Sequence, residues 1–145
     1  MERRGKEYND DGILIFEGTY SNGKKSGKGK EYYYGNLIFE GEYLNGERNG
    51  KGKEYYDNGK LRFEGEYLYG KEWDGNGYNL KNNNIEYILE KGKGYIKEYH
   101  FGYDNLIFEG EYLNGERNGK GKEYNDKGEL LYEGEYLYNR RKLSK

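Results

Sequence analysis

The groups in this 145-residue chain best suited to chemistry are carboxylates, because they recur in pairs. Glu40 and Glu42 flank Gly41, Glu64 and Glu66 flank Gly65, Glu109 and Glu111 flank Gly110, and Glu133 and Glu135 flank Gly134. One such pair could supply the acid and base of glycoside hydrolysis. Several equivalent pairs set against lysines single out none of them, so they read as a solvated, ion-paired face. His100 is the single histidine and stands in Lys-Glu-Tyr-His where Tyr33 stands in Lys-Glu-Tyr-Tyr. With no cysteine in the chain and no clustered acids beside it, it makes a poor metal ligand and reads as a substituted aromatic. Gly-Lys-Gly-Lys phrases at Gly27, Gly50 and Gly119 lack the longer glycine span, the Ser/Thr and the helix of a phosphate-binding loop. No residue is therefore assigned a catalytic, metal or cofactor role, and the chain reads as a non-enzyme.

The elements that carry these residues follow from an unusual composition. Hydrophobic residues make up 32% and charged residues 36%, and Ala, Val, Gln, Pro and Cys are absent. Low hydrophobicity usually signals disorder, but disordered chains are poor in aromatics and this one holds 20 Tyr and 25 Gly. A formal charge of -2 adds little self-repulsion and lacks the counterion-release term that drives nucleic-acid binding. No window approaches a membrane span, and the first residues carry no apolar run of the signal-peptide kind, so a cytoplasmic protein is expected.

Internal repeats organise the rest. The Gly of Glu-Gly-x-Tyr recurs at positions 18, 41, 65, 110 and 134, at spacings of 23, 24, 45 and 24 residues. Leu37 to Tyr55 is repeated letter for letter from Leu106 to Tyr124. In Leu37-Ile38-Phe39-Glu40-Gly41-Glu42-Tyr43 the odd positions are apolar or Gly and Glu40 and Glu42 point the other way, which is strand periodicity. Asn45-Gly46 then supplies a type I′ hairpin turn. The expected fold is an all-β, elongated, single-layer antiparallel meander of about six hairpin repeats of about 23 residues, one array over residues 1–145. Hairpin parity puts Phe39, Gly41 and Tyr43 on one face with Gly50 and Gly52, so that rings lie across facing glycines. The opposite face sets Glu40 and Glu42 against Lys51 and Lys53.

Phe39-Glu-Gly-Glu-Tyr43-Leu-Asn-Gly46 and Gly50-Lys-Gly52 resemble the MORN repeat, and the run from Gly52 to Tyr67 resembles its bacterial variant. The resemblance covers nearly the whole chain and implies the same β-meander. It brings no catalytic residues. It departs between Gly70 and Gly94, where Lys71-Glu72-Trp73-Asp74 adds a residue before Gly75 and Ile85-Glu-Tyr-Ile-Leu-Glu90 loses its Gly. A kink or a different strand pairing is expected there.

For function, a one-layer sheet leaves its aromatic columns in one of two states, an exposed stripe or rings covered within the sheet. On the first, the chain is a scaffold that binds another protein through Phe39, Tyr43, Tyr67, Phe108 and Tyr112, with Trp73 as an outlying anchor or the filler of a packing defect. A second reading is peripheral binding to acidic phospholipid through Lys51, Lys53, Lys120 and Lys122. Similarity to bacterial MORN-type proteins associated with toxin neutralisation suggests a third, antitoxin-like reading. Open sheet edges allow a homodimer.

Overall fold

The computed structural model describes residues 2–100 and 105–143, and every regular element among them is a β-strand. The strands are β1 (Glu2–Tyr8), β2 (Leu14–Ser21), β3 (Lys24–Tyr33), β4 (Asn36–Leu44), β5 (Glu47–Tyr55), β6 (Leu61–Leu68) and β7 (Lys71–Tyr78). They continue with β8 (Ile85–Leu89), β9 (Gly94–Tyr99), β10 (Leu106–Leu113), β11 (Glu116–Tyr124), β12 (Leu130–Leu137) and the short β13 (Arg140–Arg141). Each pairs antiparallel with its sequence neighbour, giving an eight-stranded ladder from β1 to β8 and a five-stranded ladder from β9 to β13. The meander expected from the sequence is the fold observed.

Tight turns set the period. Asn45 (φ 52°) and Gly46 (φ 89°) both take left-handed backbone, as a type I′ turn requires. The same geometry recurs at Asn22-Gly23, Tyr69-Gly70, Lys91-Gly92, Asn114-Gly115 and Tyr138-Asn139, which makes six hairpin tips along one edge, and at Tyr34-Gly35 on the opposite edge. The tips also bond to one another. Gly46 N donates to Lys25 O at 2.9 Å, Gly70 N to Arg48 O at 3.0 Å, Gly115 N to Gly92 O at 2.9 Å and Asn139 N to Arg117 O at 2.9 Å. Each tip thus satisfies backbone groups of the previous hairpin, so one repeat is a template for the next.

A row of glycines crosses the array. Gly5, Gly18, Gly29, Gly41, Gly52, Gly65 and Gly75 face one another in successive pairs, and Gly110, Gly121 and Gly134 do so in the second ladder. A Cβ on Gly41 would stand 2.6 Å from Gly52 Cα, so only glycine permits this approach. The Phe39 ring covers the row, with Cε1 and Cζ both 2.7 Å from where a Gly52 Cβ would stand. Ring follows ring along the array. Tyr43 meets the Phe16 ring at 5.2 Å, Tyr67 meets Phe39 at 5.1 Å and Tyr136 meets Phe108 at 5.1 Å, all edge to face. Phe39, Phe63 and Phe108 are 0% exposed, Tyr67 3% and Tyr43 5%. The aromatic columns are therefore the core, and the alternative of an exposed stripe is corrected.

The pattern breaks where the sequence departs from it, with one change of detail. Gly65 pairs with Gly75, so β7 has one residue fewer between tip and glycine row than β5, not one more. Leu89 pairs with Gly75 and Ile96 with Gly110, so both stand in the glycine row. Their side chains prevent the close approach that glycine pairs allow elsewhere. The ladder lapses between β8 and β9 except for a bridge at Glu90–Lys93. The core is nevertheless continuous through Tyr87, Leu89 and Ile96.

Candidate binding surfaces

The ring-bearing face is closed by charged lids. Two residues beyond the tip stand Lys25, Arg48, Arg117 and Arg141 in four of the hairpins, and each cation lies over the ring of its own hairpin. The Arg48 guanidinium sits 4.1 Å from the Phe39 centroid, while its Nε and Nη2 donate to Glu31 at 2.9 and 3.0 Å. Nη1 lies 3.5 Å from Glu54 Oε1. Arg117 repeats the arrangement over Phe108, with Glu98 at 3.0 Å and Glu123 at 3.6 Å. A planar, weakly hydrated cation can stack on a ring and form a fork to a carboxylate at once.

The column tyrosines join the same network. Tyr43 donates to Glu31, Tyr112 to Glu98, Tyr67 to Glu54 at 2.6 Å and Tyr136 to Glu123 at 2.6 Å. Burial pushes the Glu31 carboxyl up, but the Arg48 bonds and charge outweigh it and hold the group below its ordinary range. Burial first, and the neighbouring carboxylates second, push the Tyr67 hydroxyl far above its ordinary value. Four of the six residues expected at a partner surface, Phe39, Tyr43, Tyr67 and Phe108, therefore have almost no surface to offer. Tyr112 is partly buried against the core. Trp73 is also partly buried, with its indole over the next two tips, 2.6 Å from where a Gly92 Cβ would stand and 3.5 Å from that of Gly115.

The third and fourth hairpins break this scheme coherently. At the lid position stands Glu72 in the third and Gly94 in the fourth. Gly77 occupies the register position of Glu54, and the Tyr87 ring lies where a Gly77 side chain would be. Tyr87 donates to Glu72 Oε1 at 2.8 Å. Burial, then the charge and hydrogen bond of Glu54, raise the Glu72 carboxyl well above its ordinary range. The charge of one carboxyl group beside another disfavours its ionisation, which is the direction of the Glu72 shift. The signal was legible, since an acid breaks a row of cations two residues past the tips.

The opposite face carries the lysines. Lys51, Lys53 and Lys120 are exposed and Lys122 is partly so, all between rows of glutamates. Lys53 lies 3.6 Å from Glu64 and Lys122 3.9 Å from Glu133. A trough of about 650 Å³ crosses β3 to β6, with Gly29, Gly41, Gly52 and Gly65 on its floor and these charges as walls. A trough of about 400 Å³ crosses β11 and β12 over Gly121 and Gly134. Beyond the first trough the register puts Ile88 opposite Asn76, and in the wall of the second it puts Tyr95 opposite Glu111; both side chains are more than half exposed. The charged rows are thus interrupted by an apolar pair in the one irregular unit. Neither residue stands out in the repeat pattern of the sequence.

Among the described residues no cluster of His, Cys, Asp and Glu could hold a metal ion, and no helix is long and apolar enough to cross a membrane. No curated protein matches the chain. A family model for the MORN repeat matches residues 16–36, 39–60 and 108–129, which hold six glycines of the row, three of the tips and the Lys25, Arg48 and Arg117 lids. By these repeats and the hairpin array they build, the chain is a MORN-repeat protein.

Proposed function

We propose that the chain is a non-catalytic scaffold that takes a segment of another protein along the glycine-floored trough of its charged face. MORN repeats are generally associated with protein or membrane-lipid binding, and the family is generally non-catalytic. The observation that carries the choice is the trough itself, together with the exposed Ile88 and Tyr95 where its charged walls lapse. A bare backbone floor lets an extended chain approach closely. Alternating Lys and Glu walls select its charge pattern, and an apolar pair at the centre is the arrangement expected of a small hot spot with a polar rim. The partner class expected from the sequence is kept, and the face is exchanged.

The lysines lie on this face too, so the lipid reading is an outcome of the test. Peptides selected from a random displayed library against the whole chain should lose binding to Ile88→Asp and to Lys51→Glu with Lys53→Glu. They should persist at physiological salt. Selected peptides indifferent to all three substitutions would overturn the reading. So would vesicle binding that needs acidic lipid, survives physiological salt and displaces the peptides.

A further inference from the structure

The repeats act as controls for one another. In four hairpins the lid cation lies between 4.1 and 4.9 Å from its ring centroid, and in three of them it is an arginine held by a fork to glutamate or by paired glutamates. The third and fourth hairpins carry Glu72 and Gly94 instead. A cavity of about 240 Å³ opens there, with Glu72, Tyr87 and Glu98 in its wall. It also meets Arg62, Lys71 and Lys97, but each of these is engaged. Arg62 donates to Tyr99 O at 3.1 Å, Lys71 lies 3.5 Å from Glu116 and Lys97 3.5 Å from Glu86. Glu98 is held by Arg117. Glu72 has no ion pair among the described residues; Tyr87 donates to it, Glu54 lies beside it, and Arg62 is the cation whose charge bears on it.

We propose that this cavity is a guanidinium-binding site, in which a cation from outside the chain lies against Tyr87 and forms a fork to Glu72, as Arg48 does with Phe39 and Glu31. The site stands on the ring-bearing face and is independent of the trough. A guanidinium fits better than an ammonium because its plane satisfies ring and carboxylate together, and because the occupied positions favour arginine three to one. Binding removes the proton from Glu72. The groups that face it are Glu54 on β5, Arg62 and Tyr67 on β6, Tyr87 on β8, and Glu98 and Tyr112 on the next two strands. Occupancy therefore rises with pH, by up to about tenfold per unit while Glu72 is still protonated. The source of the guanidinium is either an arginine side chain of a partner protein or a free small molecule.

Calorimetric titration of the full chain with methylguanidine and with a Gly-Arg-Gly amide tests both sources, using sodium acetate as the anionic control. We expect saturable binding of the two guanidinium probes, tighter at pH 8 than at pH 5, with proton release seen by repeating it in buffers of different ionisation enthalpy. Glu72→Gln preserves the shape and should weaken binding by about tenfold or more and abolish the proton release. Glu72→Arg supplies the lid of the other hairpins and should abolish binding altogether. Preference for the peptide assigns a partner arginine, and equal binding assigns a small molecule; both support the site. Binding of acetate alone, no binding of either guanidinium, or equal affinity in wild type and Glu72→Gln would overturn it.

Discussion

Substituting Gly52 by alanine tests the claim that the aromatic column and the glycine row are one object. Gly52 has no left-handed backbone to strain, so the effect is one of space. A Cβ there would meet Phe39 Cε1 and Cζ at 2.7 Å and Tyr67 Cε1 at 2.9 Å. Two rings must move, and Phe39 has no room because it is wholly buried beneath Arg48. Overpacking of this kind costs about 1–3 kcal/mol. The lost freedom of the unfolded chain returns about 0.4–1 kcal/mol. The net expectation is a loss of about 1–2 kcal/mol. The decisive measurement is a double-mutant cycle with Phe39→Ala, which by itself should cost about 3–5 kcal/mol. In that background two of the three clashes vanish and only the Tyr67 edge remains. Gly52→Ala should then be close to neutral, giving a coupling of about 1–2 kcal/mol in urea unfolding followed by Trp73 fluorescence. If Phe39→Ala unfolds the chain, Phe39→Leu removes the offending ring edge with less loss of volume. Additivity within about 0.5 kcal/mol in either cycle would refute the idea that ring and glycine share one space.

The carboxyl groups give stability opposite dependences on pH. Glu31 has a lowered folded value, so its contribution is present above the ordinary carboxyl range near about 4.3 and is lost as pH falls through the lowered value. Glu72 has a raised value, so stability falls as pH rises from about 4.3 toward it, and Glu72→Gln should raise the urea midpoint at pH 8 while changing it little at pH 4. The third tip carries a different inefficiency. Tyr69 is held at φ 51° and is 72% exposed where the first, second and fifth tips carry Asn, so Tyr69→Asn should stabilise by up to about 1 kcal/mol. An unchanged thermal midpoint would show that the turn costs nothing with tyrosine.

Much of this protein is local and so was written in its sequence. Asn-Gly determined three of the tips, at Asn22, Asn45 and Asn114, the two-residue period determined which residues share a face, and the repeat length determined the number of hairpins. The two-residue turn also determined that rings and glycines share a face, but not the register itself, because an irregularity between Gly41 and Tyr43 moves the partner of Gly41 from Gly50 to Gly52. Even the place of failure was legible, since Leu89 and Ile96 break a glycine row that a short backbone approach requires.

Tertiary structure decided what covers what. Whether Phe39 is a surface or a core residue depends on Arg48, and Arg48 is held by Glu31, which lies 17 residues earlier in the preceding hairpin. Such a lid needs three strands in register, so neither the strand nor the hairpin alone contains it. The same holds for Glu72, whose meeting with Glu54 and Tyr87 joins three hairpins and raises its carboxyl above the ordinary range. Periodicity places side chains on a face; only the stacked array determines which of them still meet water.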